Sequence, residues 1–358
     1  MRALVVREWT QFKNLKIEDD WPRPVLEPGT VRIRTQAVGV NFALSLRVEG
    51  KYQIKPDLPH VPGNELCGYV MEVGSGVAGL QAGDRVTSFV NNGAYAEECI
   101  APAHRTFKLP DSVAFHEAVG LTTSFMTSYI ALVWPQWINL RFGQSILIHG
   151  AAGGVGLAAI DIAKILGATV FATCGSDDKA EVCRRHGADH VINYRTDDFR
   201  TRVMELTDGR GVDAVYDPVG GDVFAQSLRC VAPEGCIMPV GFSSGVVPQI
   251  PANILLVKNI KVLGLNNGYY NGQWGNDPKR HKDMGKVFEP QVRGAMNQML
   301  RWIEQGRIKL EVNQVFPFER CWEAMDLVLS RKAIGRVAVV FDEEAKRLCP
   351  RAATAAVN

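Results

Sequence analysis

Residues 146–168, ILIHGAAGGVGLAAIDIAKILGA, restrict the fold more than any other stretch of the chain. Ile146, Leu147 and Ile148 form an apolar run of the buried-strand kind, and Gly150, Gly153 and Gly156 follow it. From Val155, apolar residues recur at helical spacing (Val155, Ala159, Ile162, Ala163, Leu166), and Gly167 is placed to end the helix. Strand, glycine-dense turn and helix in that order predict the opening of a βαβ unit. The glycines permit a tight turn, a close backbone approach and close packing of helix on strand. The N–H groups at the helix start, helped by the helix dipole, suit an anion, and a dinucleotide pyrophosphate fits that description. A tight turn that holds no ligand is the alternative.

The flanking sequence extends this reading. Apolar runs at 169–173, 190–192, 213–216, 236–240 and 260–265 alternate with helical stretches, so 124–266 reads as a doubly wound parallel sheet. Before it, VRIRTQAVGV, CGYVMEVGS, GDRVTSFV and AYAEECI alternate with Gly/Pro turns, the pattern of a small irregular β-barrel. After it come a polar, aromatic loop at 266–283 (Tyr269, Tyr270, Trp274), an amphipathic helix near 291–305 and the strand-like RVAVVF. This third section is too small for a core of its own. We expect it to fold back on the first, giving 1–123 with 267–344 around a cofactor domain at 124–266, and a disordered Ala-rich tail at 345–358.

Lys and Arg number 40 against 38 Asp and Glu, so no net field favours nucleic acid or an anionic membrane as partner. The apolar part of MRALVVREW is too short for a signal peptide, and no run reaches membrane-spanning length. The eight cysteines are scattered without a Cys-x-x-Cys pair. That pattern predicts a reduced, cytoplasmic protein.

An NAD-selective site usually carries an Asp or Glu at the end of the second strand. Here TVFATC is followed by Gly175 and Ser176, with no acid at the tip. Ser176 can donate to a 2′-phosphate and Lys179 can add a charge, which favours NADPH over NADH. Asp177 and Asp178 come slightly later, where they suit the first turn of the next helix. An ordinary solvated helix residue is the alternative for Lys179.

The order of motifs then resembles the medium-chain dehydrogenase/reductase superfamily, and within it the zinc-free quinone oxidoreductase (zeta-crystallin-like) branch. The resemblance covers about 1–342 and rests on VGVNF, GKY, VPGNELCGYVMEVGSGV, GDRV, LTTSFMTSYIAL, HGAAGGVG, GADHVINY, GVDAVYDPVGG and IGRVAVV. It implies an α/β protein in which a Rossmann sheet joins a GroES-like barrel. It also implies cofactor positions. Asn41 would lie near nicotinamide and substrate, and Thr127 near the nicotinamide-side phosphate. Ala152, Gly153, Gly154 and Val155 would hold the pyrophosphate, and Phe242 and Leu265 to Asn267 would contact the nicotinamide half. Ser176, Lys179 and Tyr194 would surround the 2′-phosphate, with Arg336 closing that end. Tyr194 as a strand-end aromatic and Arg336 as a solvated turn residue are the plain alternatives.

Zinc-dependent members carry Gly-His-Glu and an upstream cysteine; this chain has Gly63-Asn64-Glu65 and Asn41-Phe42. Asn is a poor zinc ligand, the four-cysteine structural lobe is absent, and His186 and His190 straddle a helix end, so we expect no metal. Without a Lewis acid the fitting acceptors are quinones and alkenes conjugated to a carbonyl. Tyr52 and Asn41 are the donors expected to stabilise the developing oxyanion; packing of Tyr52 on IKPDLP is the alternative. Leu44 replaces an Asp common among relatives, which implies a drier or reshaped pocket. A 2-enoyl thioester reductase, with DPKRHK (277–282) greeting its carrier, is the second reading. A non-catalytic NADPH-binding or nucleic-acid-binding module is the third. The edge segment IKVLGLN (260–266) predicts a homodimer through the cofactor domains, as in relatives.

Overall fold

The computed structural model describes residues 1–272, 284–341 and 348–349. Trp274, 277–282 and the tail 345–358, apart from Leu348 and Cys349, lie outside the described residues. Contacts divide the chain into two compact units. One comprises Met1–Thr123, Gly268–Arg301 and Leu310–Asn358; the other comprises Ser124–Asn267 and Trp302–Lys309. The sequence reading placed Trp302–Lys309 with the first section. It clusters with the second because the Lys309 N–H donates to Asp161 at 3.2 Å and the Trp302 ring packs 5.6 Å from that of Tyr129.

The second unit is the doubly wound sheet. Its strands are β1 (Ser145–Ile148), β2 (Thr169–Cys174), β3 (His190–Asn193), β4 (Val212–Asp217), β5 (Val231–Pro239) and β6 (Lys261–Val262). All pair in parallel, in the order β3-β2-β1-β4-β5-β6. The order reverses between β1 and β4, where open α/β sheets hold ligands. Helices used below are α1 (Gly154–Ile165), α2 (Asp177–Arg185), α3 (Gly221–Cys230) and α4 (Ala252–Lys258). Leu147, Phe171, Val215 and Ile237 from the strands meet Phe224 and Leu228 from α3 in one core.

A polar lock crosses that core. His149 lies against Thr173 Oγ1 through Nδ1 at 2.9 Å and against Ser227 Oγ through Nε2 at 2.7 Å. Burial pushes its pKa down to about 3, so the imidazole is neutral. The last strand is shorter than the expected 260–265. Leu263 N–H still donates to Ile237, but pairing ends before Gly264, which brings no side chain to a pleated edge.

The first unit is the irregular GroES-like barrel. Its long strand Thr30–Val40 pairs along one edge with Glu65–Val73. Its other edge takes Glu98–Pro102 through Thr30 to Arg34 and then Arg336–Val340 through Ala37 to Val40. Arg336–Val340 runs parallel to Val312–Pro317 on its far side. Leu4, Ile33, Val38, Leu66, Val86 and Phe341 are core residues here. Glu65 is buried beneath this sheet, accepting from Gly120 N–H at 2.9 Å and from Thr123 Oγ1 at 2.8 Å. Burial raises its pKa, with these donors and Arg336 opposing. Gly39 is required opposite, because a Cβ there would collide with the Glu65 carboxylate.

Candidate cofactor and acceptor sites

β1 leads through His149 into Gly150, which takes φ +53°, a left-handed conformation natural to glycine. Gly150 O accepts from Gly153 N–H at 2.9 Å and closes the turn. Gly153 occupies the N-cap position of α1 and has no side chain to accept from the helix's opening amides. Gly154, Val155 and Gly156 therefore open the helix with N–H groups of the kind that suits an oxyanion, and Ala152 before them is buried. A Cβ on Gly156 would stand 2.5 Å from Ala151 O, so helix and turn meet only if that residue is glycine. Ser128 Oγ donates to Val155 O at 3.0 Å, and Thr127, one residue earlier on helix Met126–Val133, is half-buried.

At the end of β2 the chain passes Gly175 to Ser176, the N-cap of α2, whose hydroxyl oxygen accepts from Lys179 N–H at 3.4 Å. Asp177 and Asp178 fall in the first turn of α2, and Asp177 is taken by Asn193 Nδ2 at 3.1 Å. The strand tip itself carries no carboxylate. Tyr194 N–H donates to Cys174 O at 3.0 Å, and the Tyr194 hydroxyl lies where a Cβ on Gly175 would be. Burial lowers the Lys179 pKa, Cys174 opposes this, and Arg195 adds to it through like charge. Ser176 directly follows Gly175, the Tyr194 ring packs against Gly175, and Lys179 and Arg195 act on each other through like charge. Arg195, directly after Tyr194, is not among the residues that the sequence singles out.

Phe242 lies on the loop beyond β5. That loop is held by Val240 N–H on Asp217 O and by Ser243 N–H on Pro218 O, at 2.7 and 3.1 Å. Asp217, also missed, is fully buried and accepts from Val219 and Gly220 N–H at 2.7 and 3.2 Å, which shapes the DPVGG turn. Leu265 and Asn267 follow β6 and are half-buried.

Within the first unit, Asn41 caps helix Phe42–Val48. Its Oδ1 accepts from Leu44 N–H at 3.0 Å, which fixes the amide with Nδ2 as its donor end. Leu44 is buried in the barrel core. Tyr52 stacks under Arg47, whose guanidinium carbon is 4.4 Å from the ring centroid. Arg47 is itself buried, which lowers its pKa.

Arg336 does not fit the role expected for it. It is 7 % exposed, and its guanidinium donates to the carbonyls of Glu117 at 2.7 Å, Val119 and Glu311. With Glu65 as its nearby carboxylate, it is a structural cation of the barrel rather than a phosphate ligand.

Among the described residues no three His, Cys, Asp or Glu converge as metal ligands, and no helix is long and apolar enough to cross a membrane.

A dinucleotide-type turn on this sheet, joined in one chain to a GroES-like unit, defines a dehydrogenase or reductase of the medium-chain class. The family described as "Alcohol dehydrogenase GroES-like domain" matches 27–111, and that described as "Zinc-binding dehydrogenase" matches 154–277. The chain is 39 % identical over 331 residues to a quinone oxidoreductase-like protein 2 homolog of Nematostella vectensis, covering 91 % of this chain and 86 % of that one. Escherichia coli quinone oxidoreductase complexed with NADPH superposes with a TM-score of 0.84 at 29 % identity, covering 95 % and 100 % of the two chains. A mycobacterial protein complexed with NADPH gives 0.83 at 32 % identity, with the same coverage of 95 % and 100 %. The chain belongs to the zinc-free quinone oxidoreductase family of the medium-chain dehydrogenases/reductases.

Proposed function

We propose that the protein is an NADPH-dependent oxidoreductase that transfers hydride to a quinone or an α,β-unsaturated carbonyl without a metal. The observation that carries this is the grouping of Ser176, Lys179, Tyr194 and Arg195 at the end of β2, with no acid at the tip. Two cations and two hydroxyls suit a 2′-phosphate, and a ribose hydroxyl would instead call for an acid. The uncapped start of α1 suits the pyrophosphate. NADPH supplies the hydride when bound. The two NADPH complexes among the structural relatives support this cofactor.

The chain's own part is to orient the acceptor and to stabilise charge. As hydride arrives, negative charge grows on the acceptor's carbonyl oxygen, and preorganised donors lower that barrier. Asn41 Nδ2 serves as one donor, its orientation set by the cap it makes through Oδ1. The Tyr52 hydroxyl serves as the other, carried on a ring that the Arg47 guanidinium holds by stacking. Asn64 and Asn41, where zinc-dependent relatives carry ligands, support metal-free chemistry. NADPH oxidation across a panel of quinones, enones and enoyl thioesters tests the reading. Turnover of enoyl thioesters alone would replace the acceptor class, and tight NADPH binding with no turnover of any acceptor would refute an enzymatic role.

The homodimer belongs to this reading. Helix α4 buries none of its residues, and Leu256 and Val257 are 79 % and 78 % exposed beside the sheet edge at β6. An apolar helix flanking an open parallel edge suits a second copy of the same unit.

A further inference from the structure

One buried cation of the first unit takes no part in the sites described above. Arg105 is 6 % exposed. Its Nη1 donates to Asn91 Oδ1 at 2.9 Å and its Nε donates to His104 Nε2 at 3.2 Å. Both acceptors are neutral, since burial, reinforced by Arg105, pushes the His104 pKa down to about 4. Among the described residues Arg105 makes no ion pair, and burial alone lowers its pKa, to about 10. A guanidinium with five donors and, among the described residues, two neutral acceptors, taken out of water, calls for an anion opposite it.

The surroundings strengthen that demand. Lys286 and Arg293 bear on His104 with the same sign as Arg105, and the acid beside them, Glu289, is paired with Arg293 at 2.9 Å. Among the described residues two glycines pack against the guanidinium: a Cβ on Gly272 would stand 2.7 Å from Nη2, and one on Gly285 3.2 Å from it, so neither position brings a side chain of its own to the cation. The cluster also adjoins the acceptor donors. Asn91, whose side chain takes Arg105, accepts from Arg47 Nη1 on its carbonyl at 3.4 Å, and Arg47 carries Tyr52 on its face.

We propose that Arg105 binds an anionic oxygen group, a carboxylate or phosphate, carried by the hydride acceptor, so that the preferred acceptor is an acidic enone or quinone. This rests on the acceptor reading given above. The Nη2 hydrogens and the remaining Nη1 hydrogen form a planar fork that matches two oxygens of such a group, which neither an ammonium nor an imidazole reproduces.

The test compares kcat/KM for two enones identical except for one carboxylate, using wild type, Arg105→Met and Arg105→Lys. The preference for the acidic enone should fall by about tenfold or more in Arg105→Met and remain lowered in Arg105→Lys. An equal change for both acceptors, or no change, overturns the proposal. Thermal melting with inorganic phosphate and with the acidic enone reads the same site without turnover. Both should raise the wild-type Tm, and both increments should vanish in Arg105→Met. If that variant does not fold, Arg105→Lys carries both comparisons, since it keeps the charge and loses the fork. Increments that survive substitution overturn the site, and an increment from phosphate without preference for the acidic enone overturns its assignment to the acceptor. Should neither enone be turned over, the acceptor reading fails while melting still decides the anion site.

Discussion

Arg47 and Tyr52 form a stacked pair, guanidinium carbon to ring centroid 4.4 Å, in which the cation is buried and the phenol half-exposed. The stack fixes the ring, and the hydroxyl is the part left for chemistry. Tyr52→Phe keeps the stack and removes the hydroxyl alone. Losing one preorganised donor costs about 2.7–4 kcal/mol of transition-state stabilisation. Turnover of enones at saturating NADPH should fall accordingly, with a smaller loss for quinones, whose reduction gains aromaticity. An unchanged enone rate would return Tyr52 to a packing role.

Lys179→Ala should weaken NADPH binding by more than tenfold and leave NADH nearly unaltered. One charge-assisted bond to a phosphate contributes roughly 1.5–3 kcal/mol. Arg195→Ala should show the same selectivity, because the proposed site sets both cations on one phosphate and the two already act on each other through charge. Fluorescence titration with the two nucleotides checks this, and equal losses for both would mean the substitutions disturb the fold.

His149 makes the second unit sensitive to acid. Its folded pKa is about 3 against an ordinary 6.5, so below 6.5 the unfolded chain binds a proton that the folded chain refuses. Stability therefore falls as pH drops from 6.5 toward 3, by up to about 1.4 kcal/mol per pH unit. His149→Gln should flatten the acid limb by one proton's worth in urea titrations at pH 6, 5 and 4. A limb of unchanged slope would locate the acid sensitivity elsewhere.

Replacing both Leu256 and Val257 with Glu should convert a dimer into a monomer at micromolar concentration, since neither residue is packed within its own chain. Light scattering decides this, and a wild-type monomer would end the dimer reading outright.

The parts of the fold legible in the sequence are those whose cause is local. Gly150 and Gly156 announce the turn because one needs a left-handed φ and the other a contact that no Cβ survives. Ser176 before Asp177 and Asp178 reads directly as a helix start. Arg336 misled because its role depends on Glu65, Glu117 and Val119, which the barrel alone brings near it. Trp302–Lys309 likewise depends on Asp161 and Tyr129, far away in the chain. Arg195 and Arg105 carried no pattern of their own, since a lone basic residue becomes informative only when its burial and neighbours are known.

The insertion of Arg336–Val340 between Thr30–Val40 and Val312–Pro317 bears on the order in which the molecule is made. A ribosome releases all six strands of the parallel sheet, from Ser145 to Val262, before that late strand exists. The sheet at the middle of the chain can thus assemble during synthesis, while the segment made first keeps one edge of Thr30–Val40 open from Ala37 to Val40. The earliest part to emerge is the last to be finished. For that interval its unpaired edge is a template for wrong partners.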